Sequence, residues 1–237
     1  MADRGHPPAR TWLDTAVALS LLRPSADTRA ERLFQEIARQ ADLERPDEVL
    51  ESVSAALGFS PPERRARIAR AWRAGAEALL AGRAANLTPV PWGVAAYPDL
   101  LRHIPDPPFV LWVKGNAASL AEPAIAVVGS RAATPASLSV ARTLGRALAE
   151  AGLVVVSGMA RGVDGAAHEG ALDADGPTVA VLGCGADRVY PGEHRALADR
   201  IVGRGAIVSE LPPGMLPLPH HFPLRNRILS GLTLGVV

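Results

Sequence analysis

Only one cysteine, Cys184, and one lysine, Lys114, occur among the 237 residues. A lone thiol excludes an internal disulfide and cannot build a cysteine zinc site. The chain has no G-x-x-x-x-G-K-[ST] loop, which argues against a P-loop nucleotidase. It has no G-x-S-x-G elbow around Ser130 or Ser157, which argues against a hydrolase triad completed by His168. No apolar run approaches the length of a membrane span and no secretory leader is recognisable, so a soluble cytoplasmic protein is expected. Net charge is also lacking. At +1, any attraction for a polyanion has to come from a local cluster. Arginine fills nearly every basic position, a compositional bias that makes a solitary arginine a weak signal.

What is present centres on Ala124 to Asp164. The apolar runs Ile125-Ala126-Val127-Val128 and Leu153-Val154-Val155-Val156 are short, β-branched and without polar alternation, as strands buried on both faces are. Between them, Pro135 to Ala151 reads as a helix with Leu138, Ala141, Leu144 and Leu148 on its inner face, capped by Thr134. This is a strand–turn–helix–strand unit, and ligands of such units bind outside the carboxyl ends of the strands. Two loops lie there, Gly129-Ser130-Arg131 and Ser157-Gly158. Glycine allows close approach of backbone amides, the helix start favours an anion, and an arginine fork can hold phosphate. The competing reading for one such loop is a tight turn with Arg131 in solvent.

In chain order, residues 1–10 are polar, proline-bearing and expected to be mobile. A helical domain is expected over 11–85. Its apolar stripes are Trp12, Leu13, Val17 and Leu21; then Leu33, Phe34 and Ile37. A helix from Pro46 carries Val49, Leu50, Val53 and Leu57 and ends at Gly58; another from Pro61-Pro62 carries Ile68, Trp72 and Leu79. The run Arg64-Arg65, Arg67, Arg70 and Arg73 reads as a solvated helix face before it reads as a nucleic-acid contact. A proline-rich connector, 86–123, contains the strand Phe109 to Val113 and packs against the next domain. Over 124–237 the βα rhythm predicts strands at 125–128, 153–156, 178–182, 206–208 and 233–237.

The strand ending at Leu182 runs into Gly183-Cys184-Gly185, with Arg188 beyond, where a dinucleotide fingerprint would need its third glycine. Glu210 lies where a ribose could be held. Asp164 and His168, one helical turn apart, suit anchoring of a helix start better than proton transfer. His220-His221 is too isolated for a metal site, and Cys184 reads as a small residue at a crowded strand end. No catalytic residue, cofactor or metal is expected. What remains is a polyanion rim of Gly129, Ser130, Arg131, Ser157, Gly158, Arg161, Gly183 and Arg188. Several separated phosphate-sized donor sets suit a nucleic-acid strand better than one mononucleotide.

Further motifs then fall into order: Tyr97-Pro98-x-Leu100-Leu101, Asp106-Pro107-Pro108, Lys114-Gly115-Asn116, and Val127-Val128-Gly129-Ser130-Arg131-x-x-Thr134. They continue with Val156 to Asp164 and Ala167-His168, Ala180 to Gly185, Tyr190-Pro191, Ser209-Glu210 and Phe222-Pro223-x-Arg225-Asn226-Arg227-Ile228. Over roughly residues 90–237 the chain resembles the DNA-processing protein A (Smf) family. The resemblance implies an α/β fold, with a Rossmann-like parallel sheet domain preceded by a small helical (SAM-like) domain. It also implies a single-stranded-DNA-binding mediator of natural transformation that loads the RecA recombinase, acts as a homodimer and catalyses no reaction. Matched to the family motifs, Arg131 is the foremost DNA contact, Ser130, Ser157 and Gly158 are backbone-anchoring partners, and Arg225, Asn226 and Arg227 join the site.

Two departures stand out. Ala136-Ser137 replaces the family's glycine after the Thr-Pro pair. Family members also continue past Val237, which implies an incomplete sheet here, with reduced stability and without the dimer and recombinase surfaces. The alternative function is a nucleotide-binding or phosphoribohydrolase-like protein, whose proline-glycine-glycine, glycine-threonine and glutamate signature is not found.

Overall fold

The computed structural model describes residues 11–22 and 46–237. Residues 1–10, expected from the sequence to be mobile, and the stripe of Leu33, Phe34 and Ile37 lie outside the described residues. The chain divides into two compact units between Glu77 and Ala78.

The first unit contains α1 (Trp12–Leu22), α2 (Pro46–Ala56) and the beginning of α3 (Pro61–Ala84). Side-chain caps start two of these helices. The Asp14 carboxylate accepts from the Thr11 amide at 2.7 Å, and Glu63 accepts from the Ser60 amide at 2.9 Å. The Ser60 hydrogen bonds lower the Glu63 pKa from its ordinary value. In α1 the sequence suggested a single stripe, but Thr15 to Leu19 are all buried, so the middle of this helix is covered on every side. Val49, Leu50 and Val53 of α2 are buried as the spacing predicts, and Gly58, at φ +78°, follows the helix end. Along α3 it is the small residues Ala71, Gly75 and Ala78 that are buried, while Ile68, Trp72 and Leu79 are half-buried. Arg65, Arg67, Arg70 and Arg73 are exposed, with Arg67 lying 4.0 Å over the Phe59 ring.

The second unit is built on a seven-stranded sheet of order β1-β2-β6-β5-β4-β3-β7. Its strands are β1 (Thr88–Pro91), β2 (Val110–Gly115), β3 (Ala124–Ala126), β4 (Val154–Ser157), β5 (Thr178–Val181), β6 (Ala206–Ser209) and β7 (Gly235–Val236), and two shorter helices, α4 (Asp99–Arg102) and α7 (Arg195–Arg204), lie among them. From β6 to β7 all pairings are parallel, as the βα rhythm implies. The connector adds an antiparallel pair to that edge: β1 runs against β2, and β2 against β6. Strand β1 had no apolar run to announce it, because two of its four residues are proline. An edge position tolerates proline, which has no amide to give to a neighbour.

Two apolar clusters lie on the two faces of the sheet. Val154, Val156, Val179, Val181 and Val208 pack with Leu111, Val113 and the helix α8 (His221–Gly231) through Ile228, Leu229 and Leu232. Val155 and Val127 face the other way, toward α5 (Pro135–Glu150) and α6 (Val163–Asp173), through Leu144, Leu148, Ala167 and Ala171. Alternate valines of one strand thus bury against different layers, which explains their unbroken apolar sequence. The Thr134 hydroxyl caps α5 by accepting from the Ser137 amide at 3.2 Å. In sequence the parallel strands run β3, β4, β5, β6 in one direction, and the chain then returns to place β7 on the far side of β3. Strand order therefore reverses beside β3, the position where such sheets open a crevice.

Candidate nucleic-acid interface

The loop leaving β3 and the loop leaving β4 are locked together before they can serve any ligand. Gly129 lies against Val163, where a Cβ would come within 2.7 Å of Cγ2. The Val163 amide donates to the Ser130 carbonyl at 3.2 Å, and Gly162 takes φ +77° where its chain passes that same carbonyl. Gly129 is thus accounted for by loop-to-loop packing. Ser130 is exposed, with its Oγ accepting from the Ala132 amide at 3.1 Å.

Beneath this rim the chain satisfies its own polar groups. Ser157 is fully buried, and its hydroxyl donates to the Val127 carbonyl at 2.6 Å, tying β4 to the strand beside it. The amides of Gly158 and Ala160, which could have cradled an anion, donate to Oδ2 of Asp164 at 3.1 and 3.4 Å. Asp164 in turn faces Arg225 at 3.8 Å, and both are almost fully buried. Arg225 reaches from α8 under the loop and donates to the carbonyls of Gly158 and Val181. Burial lowers the Arg225 pKa, while Asp164 acts in the opposite sense. The sequence groups Ser157 and Gly158 with the rim and adds Arg225 to the site. The structure puts the Ser157 and Arg225 side chains behind it, because a buried carbonyl layer needs donors and these residues supply them.

His168 belongs to the same interior. Its Nδ1 lies 2.7 Å from the Thr178 hydroxyl, which donates to the Val155 carbonyl at 2.6 Å. Since the hydroxyl proton is committed to that carbonyl, Nδ1 must be the protonated nitrogen and the donor. Burial pushes the His168 pKa down to about 3. A histidine held neutral in this way stabilises the fold fully above its unfolded pKa near 6.5, and this contribution is lost as pH falls toward the folded value. Stability is therefore expected to drop by about 3 kcal/mol between pH 6.5 and 4 through this group. Replacing His168 with asparagine, which keeps a donor but does not titrate, should flatten the fall in chemical denaturation followed against pH. An unchanged slope would exclude His168 as its source.

The accessible part of the site forms around an aromatic pair. Phe222, in the first turn of α8, sits over Gly183 at the end of β5, where a Cβ would come within 3.0 Å of the ring. Its centroid is 5.5 Å from that of Tyr190, with the rings tilted by 41°. The exposed Arg131 lies over the outer face of Phe222, its guanidinium carbon 5.1 Å from the centroid. Arg131, Gly158, Ala160, Arg161, Tyr190, Pro191 and Phe222 line one pocket. Phe222 and Tyr190 were quoted in the sequence as motif letters but not assigned to the site. The signal that could have found them is that single-strand sites pair arginines with aromatics.

The remaining arginines are differently engaged. Arg161 is paired with Glu193, and the exposed Arg188 donates to the Gly214 carbonyl at 3.0 Å. Asn226 is exposed and accepts from Arg225 Nε at 3.2 Å. Arg227 is clamped between Glu210, at 2.6 Å, and Asp106, at 2.8 Å. Burial alone would lower the Arg227 pKa, but these carboxylates hold it above the ordinary value. Glu210, considered as a ribose ligand, serves as the counter-ion of this clamp. Tyr97 donates its hydroxyl to the Pro108 carbonyl at 2.8 Å, which ties the connector to itself, while Asp106 braces it against α8 through Arg227. Cys184 is buried, which raises its thiol pKa to about 11 and keeps it unreactive. The rings of His220 and His221 meet edge to face at 4.4 Å. Among the described residues no cluster of three His, Cys, Asp or Glu could hold a metal, and no helix is long and apolar enough to cross a membrane.

A Rossmann-like sheet with an arginine and two aromatics beyond the carboxyl ends of its strands defines an α/β domain whose polar interior is given over to holding its own loops. Residues 90–237 match the family of DNA recombination-mediator protein A, and the chain belongs to that family. It is 38% identical over 160 residues to the DNA processing protein DprA of Bacillus subtilis, an alignment covering 67% of this chain and 54% of that protein. The chain spans about half the length of the curated relatives it matches. Its fold matches the X-ray structure of DNA processing protein A from Streptococcus pneumoniae with a TM-score of 0.71 at 33% identity, covering 95% of this chain and 74% of that one. It also matches the DNA processing protein A of Helicobacter pylori, a structure titled for its single-stranded DNA binding mode. There the TM-score is 0.57 at 32% identity, covering 64% and 69% of the two chains.

Proposed function

We propose that the pocket of Arg131, Phe222 and Tyr190 holds single-stranded DNA, and that the chain serves as a recombination mediator in DNA uptake, delivering the strand to a RecA-type recombinase. The observation that carries this reading is Arg131 lying over the Phe222 ring beside Tyr190, beyond the carboxyl ends of the parallel strands. A base can join the stack of the half-buried Phe222 and the exposed Tyr190 as the guanidinium turns to the adjoining phosphate, a combination that suits any sequence. The single-stranded DNA binding mode of the Helicobacter pylori relative supports it. Arg131 leads the contact, flanked by Ser130, Arg161, Arg188 and Asn226; Ser157, Gly158, Gly183, Arg225 and Arg227 shape the site from behind. Domain limits at 11–85, 86–123 and 124–237, a homodimeric assembly, a cytoplasmic setting and the absence of any catalysed reaction complete the proposal.

Fluorescence anisotropy with labelled oligothymidylates tests it. Affinity should rise with oligonucleotide length, and Phe222→Ala should weaken binding by about 1–3 kcal/mol, the usual contribution of one stacked base. Phe222→Trp should restore most of it. Affinity that already saturates with a mononucleotide would instead favour a nucleotide-binding role.

A further inference from the structure

Arg161 lines the pocket with Arg131, Tyr190 and Phe222, yet its guanidinium is already occupied. Its Nε and Nη2 donate to the two carboxylate oxygens of Glu193 at 2.6 and 2.7 Å. Two parallel N–H donors on two oxygens of one anion is also how arginine grips a phosphate. Both side chains are more than half exposed, at 63% and 52%. Ion pairs this exposed are weak, since water and salt screen them and two long side chains must be held still. A phosphodiester entering the pocket can therefore replace the carboxylate without loss of hydrogen bonds to Arg161.

Glu193 is not a loose side chain that happened to settle there. It lies in the short 3-10 turn Gly192–His194, whose His194 donates from Nδ1 to the Met159 carbonyl at 3.0 Å. His194 also packs against Gly165, where a Cβ would come within 3.1 Å of its ring. The turn is thus pinned to the same loop that carries Arg161, and Glu193 stays beside that loop whether or not Arg161 holds it. Tyr190 of the aromatic pair lies two residues before this turn, so mask and stacking surface share one segment.

We propose that Arg161 is a masked phosphate subsite, filled in the free protein by the Glu193 carboxylate until a phosphodiester takes its place. This rests on the reading that the pocket binds single-stranded DNA. The exchange lets the protein release a strand readily, since a competing anion stands beside the subsite throughout, and it discriminates against ligands unable to offer two anionic oxygens at that point.

The test is a double-mutant cycle on the full chain, with a labelled oligothymidylate at fixed low salt. Glu193→Gln should tighten binding roughly two- to fivefold, the span an exposed ion pair represents. In an Arg161→Gln background the same change should give a clearly smaller gain, since only residual repulsion by the carboxylate is then removed. Equal gains in both backgrounds would overturn the mask, because Glu193 would then act by general repulsion alone. No gain in either background would overturn it as well. Arg131→Glu measured alongside separates the two readings. If it leaves affinity unchanged, the pocket itself is not the DNA site. If it weakens binding while Glu193→Gln is neutral, only the mask fails. Because both members of the pair are exposed, the variants should melt with the parent.

Discussion

Charge reversal at Arg131 is expected to lower affinity for single-stranded DNA by roughly tenfold or more and to flatten its salt dependence. Arg131 is exposed and lies over the Phe222 ring, and among the described residues no carboxylate pairs with it. Arg161 and Arg227, by contrast, have their charge met by neighbouring carboxylates. In Arg131→Glu a phosphate contact becomes a repulsion, and the cation covering the Phe222 face is lost with it. Each phosphate contact removed should take roughly 0.7 from the log–log slope of affinity against salt for a single strand. Arg131→Lys should keep most of the charge term but lose the fork and the flat stacking surface, giving an intermediate affinity at a nearly unchanged slope. Titrations at several salt concentrations check this. Parent-like affinity and slope in Arg131→Glu would reduce Arg131 to a turn residue.

The second large effect is on stability. Arg225→Met should cost about 3–5 kcal/mol, because it strands the buried Asp164 carboxylate and leaves the carbonyls of Gly158 and Val181 without their donor. For a unit of this size that corresponds to a fall in Tm on the order of 10 °C. Arg225→Lys should recover little, since one ammonium cannot span the two carbonyls and the carboxylate as the guanidinium fork does. Well below the melting point, the salt slope of DNA binding in Arg225→Met should match the parent, because a side chain 6% exposed meets no phosphate. Calorimetry decides the first point and anisotropy the second. A melting point within 2 °C or so of the parent would mean that this buried pair contributes no net stability.

Much of this was legible from residues alone. The unbroken β-branched runs fixed which segments are strands with two buried faces, and Thr134-Pro135 placed the start of α5. The family motifs ran in one order from Tyr97 to Ile228, and the loops after β3, β4 and β5 had to share an edge once the strands were parallel. Local chemistry determines such features, because periodicity, capping and turn propensity act over a few residues. Among the basic residues, sequence could not say which face solvent and which face inward. Arg131 and Arg225 are each one letter in a motif. One is exposed over an aromatic ring; the other is buried beneath a loop with Asp164 as counter-ion. That difference arises from how α8 crosses the ends of β4 and β5, bringing residues 67 and 44 positions apart into hydrogen-bond contact. The aromatic pair was equally invisible, since Tyr190 and Phe222 are separated by a strand and a helix until the sheet closes. Strand β1 was hidden for a related reason: its prolines suit only an edge, and which strand forms the edge is settled by sheet order. Sequence thus specified the elements and the kind of site, while tertiary packing decided which charges remain free to meet a ligand.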